Sequence, residues 1–332
     1  MENKAILKEI DPNFDAALRP TEWGDYIGQK KIKANLRLMM DAAKERNESC
    51  EHLLFYGQAG LGKTTLAYLI GKEMNAPVQS TSGPALEKAG DIAAILSNLE
   101  PHHILFIDEV HRMQKLAEEI LYPAMESRKL PLIVGKGPSA RMLTIDLPPF
   151  TILAATTKMN LLSAPLRSRF GATFRLEYYS SEEIGEIVKR SAKLLGITIN
   201  ADAIKLLSDT SRFTPRIANR LLKRARDYAQ IHKRGGIDAE SVRETLRLLE
   251  IDGLGLELTD RHLLEIIIKK FVGGPVGLKT LAAALNEEPG TIEDVFEPFL
   301  MKLGFLHRTP AGRTATSLAY KHLNLPMKSG LL

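Results

Sequence analysis

The chain has 332 residues, of which 44% are hydrophobic and 26% charged, with a formal net charge of +5. That length predicts two or three domains, that composition excludes a fibrous or disordered chain, and so mild a charge does not by itself mark a nucleic-acid binder. The single cysteine, Cys50, excludes an internal disulfide and a thiolate metal cluster; with no N-terminal apolar signal and no apolar run of about 18–20 residues, a cytoplasmic protein is expected.

Lys and Arg stand against Asp and Glu as 22 to 21 over residues 1–180, 14 to 10 over 181–250 and 9 to 9 over 251–332, so the excess lies in the middle segment. From Arg19 to about Tyr179 short apolar runs alternate with helical stretches. This is the order of a largely parallel sheet covered on both faces by helices. The predicted strands are His52–Tyr56, Pro77–Ser80, Ile104–Ile107 and Thr151–Thr156, and Leu130–Val134 with Met142–Leu147 flank a turn at Gly135-Lys136-Gly137-Pro138 as an inserted hairpin. After Ser180-Ser181-Glu182-Glu183, a helix start with acids in its first turn, the pattern becomes helical throughout, with Ala203–Ser208, Pro215–His232 and Ala239–Glu250. Gly253 and Gly255 mark a linker. Beyond it Arg261–Phe271, Leu278–Leu285 and Thr291–Met301 read as three helices, and Phe305–Arg308 with Arg313–Thr316 as a hairpin, which together predict a winged helix.

Gly57-Gln58-Ala59-Gly60-Leu61-Gly62-Lys63-Thr64 is a complete G-x-x-x-x-G-K-[ST] motif between a predicted strand and a helix over Thr64–Met74. Its glycines, Gly60 and Gly62 among them, let the backbone curl around phosphate and aim N–H groups at it. Lys63 is placed for the β- and γ-phosphates, and the Thr64 hydroxyl for Mg²⁺. A plain glycine turn is the alternative, and the strand–loop–helix order outweighs it.

Ile104–Ile107 ends in Asp108-Glu109. Asp108 suits the Mg²⁺ shell and Glu109 the general base that polarises the attacking water, although paired acids after a strand can simply start a helix. Thr156 and Thr157 offer hydroxyls at the end of the fourth strand, where a γ-phosphate sensor would sit. In Leu166-Arg167-Ser168-Arg169-Phe170-Gly171 two arginines form either a solvated helix end or a clamp for phosphoryl charge in a neighbouring copy. Arg216, at a helix start, works against the macrodipole, which points to an anion that compensates it.

The third helix of the winged unit carries Glu293, Asp294 and Glu297 and would repel phosphate, whereas the wing carries His307, Arg308 and Arg313. Backbone contact with DNA is therefore expected through Arg308 and Arg313, the alternative being a solvated hairpin. So few contacts per copy bind weakly and without sequence preference, and affinity requires several linked copies.

Taken together these segments resemble an AAA+ module, and within that class the RuvB family. The closer likeness rests on Leu18-Arg19-Pro20, Tyr26-Ile27-Gly28-Gln29, Gly60–Thr65, Phe106–Glu109 with His111-Arg112, Leu166–Gly171, Thr214–Arg220, Gly273–Leu278 and Arg308–Arg313. The resemblance implies an α/β P-loop domain over residues 1–180, a small all-α lid over 181–250 and a winged-helix head over 253–332. It implies an ATP- and Mg²⁺-dependent homohexameric motor that branch-migrates Holliday junctions in recombination and repair. The nucleotide would be held by Leu18, Arg19, Gly60, Gly62, Lys63, Thr64, Thr65, Tyr179 and Arg216, with Arg169 as the arginine finger and Glu126, Ser127 and Arg128 also lining the site. Thr157 falls at the sensor position. The hairpin around Gly135–Met142 would engage a RuvA-like junction-binding protein, with a RuvC-like resolvase as further partner. Gln58-Ala59 stands where the family commonly has two prolines, and Thr157–Asn160 departs from its usual continuation; neither touches Lys63, Asp108, Glu109 or Arg169. A clamp-loader-like ATPase, which would end in a helical collar, and an ATP-switched winged-helix regulator are the competing readings.

Overall fold

The computed structural model describes residues 17–134 and 141–326. The tip of the inserted hairpin, residues 135–140, therefore lies outside the described residues. The chain divides into two compact units, Met1–Tyr179 and Ser180–Leu332.

In the first unit the elements follow as α1 (Lys30–Glu45), β1 (Leu53–Tyr56), α2 (Lys63–Glu73), β2 (Val78–Ser82), α3 (Ala89–Ser97), β3 (Ile104–Asp108), α4 (Lys115–Ser127), β4 (Lys129–Val134), β5 (Arg141–Asp146), β6 (Thr151–Thr156), α5 (Ala164–Arg167) and β7 (Ala172–Arg175). Five strands make one sheet in the order β2-β3-β6-β1-β7, and every pairing in it is parallel. All six residues of β6 are buried, and β1 and β3 are buried but for their last residues. Such strands have helices on both faces and no solvent side, which is why they read as continuous apolar runs. Ile92, Leu96, Ala117, Leu121 and Ala124 pack from α3 and α4 onto Leu105, Ile107, Ile152 and Ala154 of the sheet. The hairpin β4–β5 forms its own two-stranded sheet.

Because the strands are parallel, the loops after β1, β3 and β6 leave one edge of the sheet together, and the crevice there is where open α/β sheets bind ligands. The opposite edge holds the starts of the same strands: His102 N donates to Pro149 O, Thr151 N to His103 O, and Gly171 N to His52 O. The fifth strand, β7, is not among the predicted elements. Its four residues alternate and only Phe174 is buried, too brief a pattern to stand out from a loop.

The second unit begins with α6 (Ser181–Leu194), entered through a capping box in which Ser180 and Glu183 bond each other's backbone amides. It continues through α7 (Ala201–Asp209), α8 (Pro215–Ile231) and α9 (Ala239–Leu248). Then come α10 (Leu258–Lys270), α11 (Leu278–Leu285), α12 (Pro289–Thr291), a π-helical turn over Ile292–Phe296, α13 (Glu297–Lys302), the hairpin β8 (Leu306–Thr309) and β9 (Gly312–Ala315), and α14 (Ser317–His322). The predicted third helix is thus real but interrupted. Pro298 brings no N–H for the carbonyl one turn back, and the wider π turn falls just ahead of it. Val276 bridges to Arg313 and makes a third short rung beside the wing. Gly312 is obligatory there: φ is +141° and a Cβ would stand 2.4 Å from the Val276 carbonyl oxygen. Arg212 joins the helical segment to the winged one, donating to Asp260 at 3.1 Å with its guanidinium 4.2 Å from the Phe299 ring centroid. Burial pushes the Asp260 carboxyl upward in pKa, and the Arg212 charge opposes that rise. Among the described residues no helix is long and apolar enough to cross a membrane.

Candidate functional site

The loop after β1 curls as its motif requires. Lys63 is almost wholly buried, and its ammonium donates to the carbonyls of Gly57 at 2.7 Å and Gln58 at 2.9 Å. A buried cation needs such acceptors, and these two aim it across the loop's own concavity. Gly62 has φ +95° and a Cβ there would sit 2.9 Å from the Tyr26 hydroxyl, so this glycine serves both the turn and the close approach. Tyr179 donates to the Leu61 carbonyl at 3.1 Å, and its hydroxyl lies 3.3 Å from that of Tyr26. Burial first, and then the neighbouring Tyr179, hold the Tyr26 phenol protonated with its pKa well above the ordinary value. The two tyrosines brace the loop from behind. Tyr26 carries no role in the sequence reading, because nothing in the motif around it says that it will meet the P-loop.

Leu18 is buried, and Arg19 lines a cleft of about 350 Å³ with Pro20, Thr21, Thr65, Tyr68, Leu69 and Lys72. Arg19 and Thr65, both expected to hold the nucleotide, therefore face one space beside the first turns of α2.

From β3, Asp108 accepts a hydrogen bond from the Thr64 hydroxyl at 3.2 Å and from the Glu109 amide at 2.9 Å. Glu109 stands at φ +47°, a left-handed conformation uncommon for a residue with a side chain. Its Oε2 accepts from the Thr157 hydroxyl at 3.1 Å and the Thr157 amide at 3.4 Å, and lies 3.2 Å from His111 Nδ1. The two threonines divide their work. Thr156 is buried and its hydroxyl oxygen accepts from Lys158 N at 2.9 Å while lying 2.9 Å from His111 Nδ1; Thr157 addresses the carboxylate directly. His111 belongs to this constellation.

Among the described residues no group of three or more His, Cys, Asp or Glu could cage a metal. The Thr64–Asp108 pair fits a divalent ion of another kind: Mg²⁺ keeps most of its waters and takes one or two protein oxygens beside those of a phosphate.

Arg169 lies elsewhere. Gly171, two residues on, bonds to His52 ahead of β1, whereas the P-loop follows the far end of that strand. Four residues of roughly 3.3 Å each separate the two edges. Arg169 is instead paired with Glu126 at 2.8 Å, donates to the Pro165 carbonyl at 2.6 Å and stacks 4.5 Å from the centroid of Tyr122. The end of α4 is fastened to this same edge by His52, which bonds the Met125 carbonyl and accepts from Ile152 N at 2.9 Å. Burial, reinforced by the charge of Arg128 and opposed by the Met125 carbonyl, lowers the His52 pKa to about 4, so the ring is neutral at pH 7. Glu126, Ser127 and Arg128 are thus exposed beside Arg169 and away from the P-loop of their own chain. Arg167 is also exposed, on the last turn of α5. Arg216 is exposed on the first turn of α8 in the second unit, with no acidic residue in that turn.

The wing arginines differ from their expected equivalence. Arg308 has a half-exposed side chain and meets Glu293 at 2.7 Å. Arg313 is buried, its Nε donating to Glu297 at 2.6 Å and its Nη2 to Glu293 at 3.2 Å. Its guanidinium is engaged by two carboxylates of the head, so of the two expected backbone contacts Arg308 is the more exposed. Glu293 and Glu297 of the third helix face the wing and pair with its two arginines. Arg313→Met should leave the buried Glu297 without its partner and destabilise the head by about 3–5 kcal/mol. Arg313→Met/Glu297→Leu should recover most of that loss, and urea unfolding of the two variants checks both.

A parallel sheet with a P-loop, a carboxylate pair on the same edge, a four-helix segment and a winged helix define an AAA+ ATPase that carries a winged-helix head. Three family descriptions match in series: the Holliday junction DNA helicase RuvB P-loop domain over residues 18–176, the RuvB AAA lid domain over 179–252 and the RuvB C-terminal winged helix domain over 253–324. The chain is 53% identical over 319 residues to the Holliday junction branch migration complex subunit RuvB of Dehalococcoides mccartyi, covering 96% of this chain and 91% of that one. It is 55% identical over 316 residues to the protein of the same description from Chloroflexus aggregans, covering 95% and 90%. The solved Thermotoga maritima RuvB Holliday junction branch migration motor superposes with a TM-score of 0.86 at 45% identity, covering 94% of this chain and 100% of that one. The chain belongs to the RuvB family.

Proposed function

We propose that this protein hydrolyses ATP to drive branch migration of Holliday junctions in recombination and repair, working in the cytoplasm as a homohexameric ring. The relatives' descriptions supply the reaction. The observation that carries the ring is the separation of Arg169 from the P-loop of its own chain by the length of β1. A finger on the far edge can serve only a neighbour's site. In this reading Leu18, Arg19, Gly60, Gly62, Lys63, Thr64, Thr65 and Tyr179 hold the nucleotide from within. Glu126, Ser127, Arg128 and Arg169 approach it from the adjacent subunit, and Arg216 senses it from a lid. Thr64 and Asp108 hold Mg²⁺, which supplies charge neutralisation for the phosphates. Glu109 takes the proton of the attacking water, and the Thr157 hydroxyl orients that carboxylate.

Arg308 and Arg313 are the wing side chains offered to the DNA backbone, Arg308 being the more exposed of the two. A RuvA-like partner would dock at the β4–β5 hairpin, where Met142 and Leu143 expose apolar surface on β5; a RuvC-like resolvase would act on the migrated junction. The winged helix stands where a clamp loader has a collar, and Glu293 and Glu297 against the wing leave the third helix poorly suited to reading bases as a regulator would.

The test is a labelled four-way junction incubated with the protein, ATP and Mg²⁺, with and without a RuvA-like protein. Dissociation of paired arms that requires hydrolysable ATP is expected. Binding at one preferred duplex sequence with no arm exchange would overturn the motor reading.

A further inference from the structure

Glu118, Tyr122 and Glu126 follow one another at four-residue spacing along a single face of α4. Opposite them runs the segment from Ser163 to Arg169. The Tyr122 ring lies under the Arg169 guanidinium, 4.5 Å from centroid to carbon, while its hydroxyl donates to Glu118 at 2.7 Å and stands 3.2 Å from the Ser163 hydroxyl. Ser163 in turn donates to the same Glu118 oxygen and caps α5 by accepting from Leu166 N at 3.2 Å. The ring is therefore pinned at its polar end by the residue that fixes the helix leading to the finger. Glu126 is a contact of another kind: it is 60% exposed, so water screens its pairing with Arg169. Among the described residues the buried Nε of Arg169 has no hydrogen-bond partner, which leaves the guanidinium held in place but not saturated.

We infer that Tyr122 is the positioning residue of the finger, a fixed platform that holds the Arg169 guanidinium in one plane, with Glu126 as a replaceable anion that the neighbour's terminal phosphate displaces. This rests on the reading of Arg169 as a finger acting in trans. A flexible arginine must otherwise be ordered at each turnover, and the stacked ring orders it beforehand. Tyr122→Leu removes the platform but keeps the apolar packing on the core; Tyr122→Phe keeps the platform and loses the polar anchor.

The experiment measures kcat, KM and nucleotide affinity on assembled rings of the full chain, for wild type, Tyr122→Leu, Tyr122→Phe and Arg169→Ala, and repeats the turnover assay on mixed rings. Tyr122→Leu should lose about 10²-fold in kcat, the scale of a small misplacement of a reacting group, with nucleotide affinity and assembly unchanged. Tyr122→Phe should retain most of the rate. Added Glu109→Gln subunits, inert themselves but bearing an intact finger, should restore turnover to Tyr122→Leu sites, and Glu109→Gln/Tyr122→Leu subunits should not. A Tyr122→Leu ring with wild-type kcat, or a defect that intact neighbours fail to rescue, overturns the platform. Undiminished turnover by Arg169→Ala in the same series overturns the trans finger itself, and the inference with it.

Discussion

Arg169→Ala should slow ATP turnover by about 10³–10⁵ under conditions where the ring is assembled, with nucleotide binding at the P-loop preserved. The expectation follows from where the side chain stands. Among the described residues no side-chain contact of Arg169 involves the P-loop: it meets Glu126, Pro165 and Tyr122, and its backbone leads through Gly171 to the start of β1. Deleting it therefore leaves Lys63, Thr64 and Asp108 as they are, and what disappears is charge stabilisation delivered from outside. Two consequences separate this from a folding defect. Wild-type turnover per subunit should fall on dilution below the assembly concentration, because the finger is then lost with the neighbour. Mixing Arg169→Ala with Glu109→Gln, each inactive alone, should regain activity, because the intact P-loops of the first then meet the intact fingers of the second. Phosphate release measured across mixing ratios reads both, and a flat response at undiminished rate would remove the basis for the ring.

What could be read from the residues alone follows from where the physics is local. The P-loop is a run of eight whose glycines, lysine and threonine are dictated by phosphate geometry, and β3 and β6 are continuous apolar runs because both faces are covered. Residues adjacent along the chain thus disclosed one half of the site. The remainder depends on pairings between distant segments. Tyr26 stands against Gly62 and, 153 positions on, against Tyr179, and His111 reaches Thr156 only because β3 and β6 lie side by side. β7 is an edge strand with a single buried side chain. Arg313 shows the same limit in reverse. An arginine in a polar hairpin looks solvent-facing, and only the fold brings Glu297 beneath it. The charge counts of the last segment, 9 against 9, were compatible with either outcome.

Glu109→Gln should abolish most hydrolysis, by about 10²–10⁴, while leaving ATP bound and the ring intact. Glutamine matches the shape of glutamate and can still meet the Thr157 hydroxyl, its amide and His111, so the left-handed turn at the end of β3 should persist. What it cannot do is accept a proton from water. Thr157→Val makes the informative comparison: it removes one donor to the carboxylate and spares the base, so it should slow the chemical step less than Glu109→Gln does. Single-turnover phosphate release beside nucleotide affinity distinguishes the two. If Glu109→Gln hydrolysed ATP at the wild-type rate, the base would have to be sought elsewhere on the same edge. Thr157 and His111 would then be holding a carboxylate with only a structural part to play, and the rank of the two variants would reverse. The order of their rates therefore tests whether this network exists to aim a base or to complete a turn.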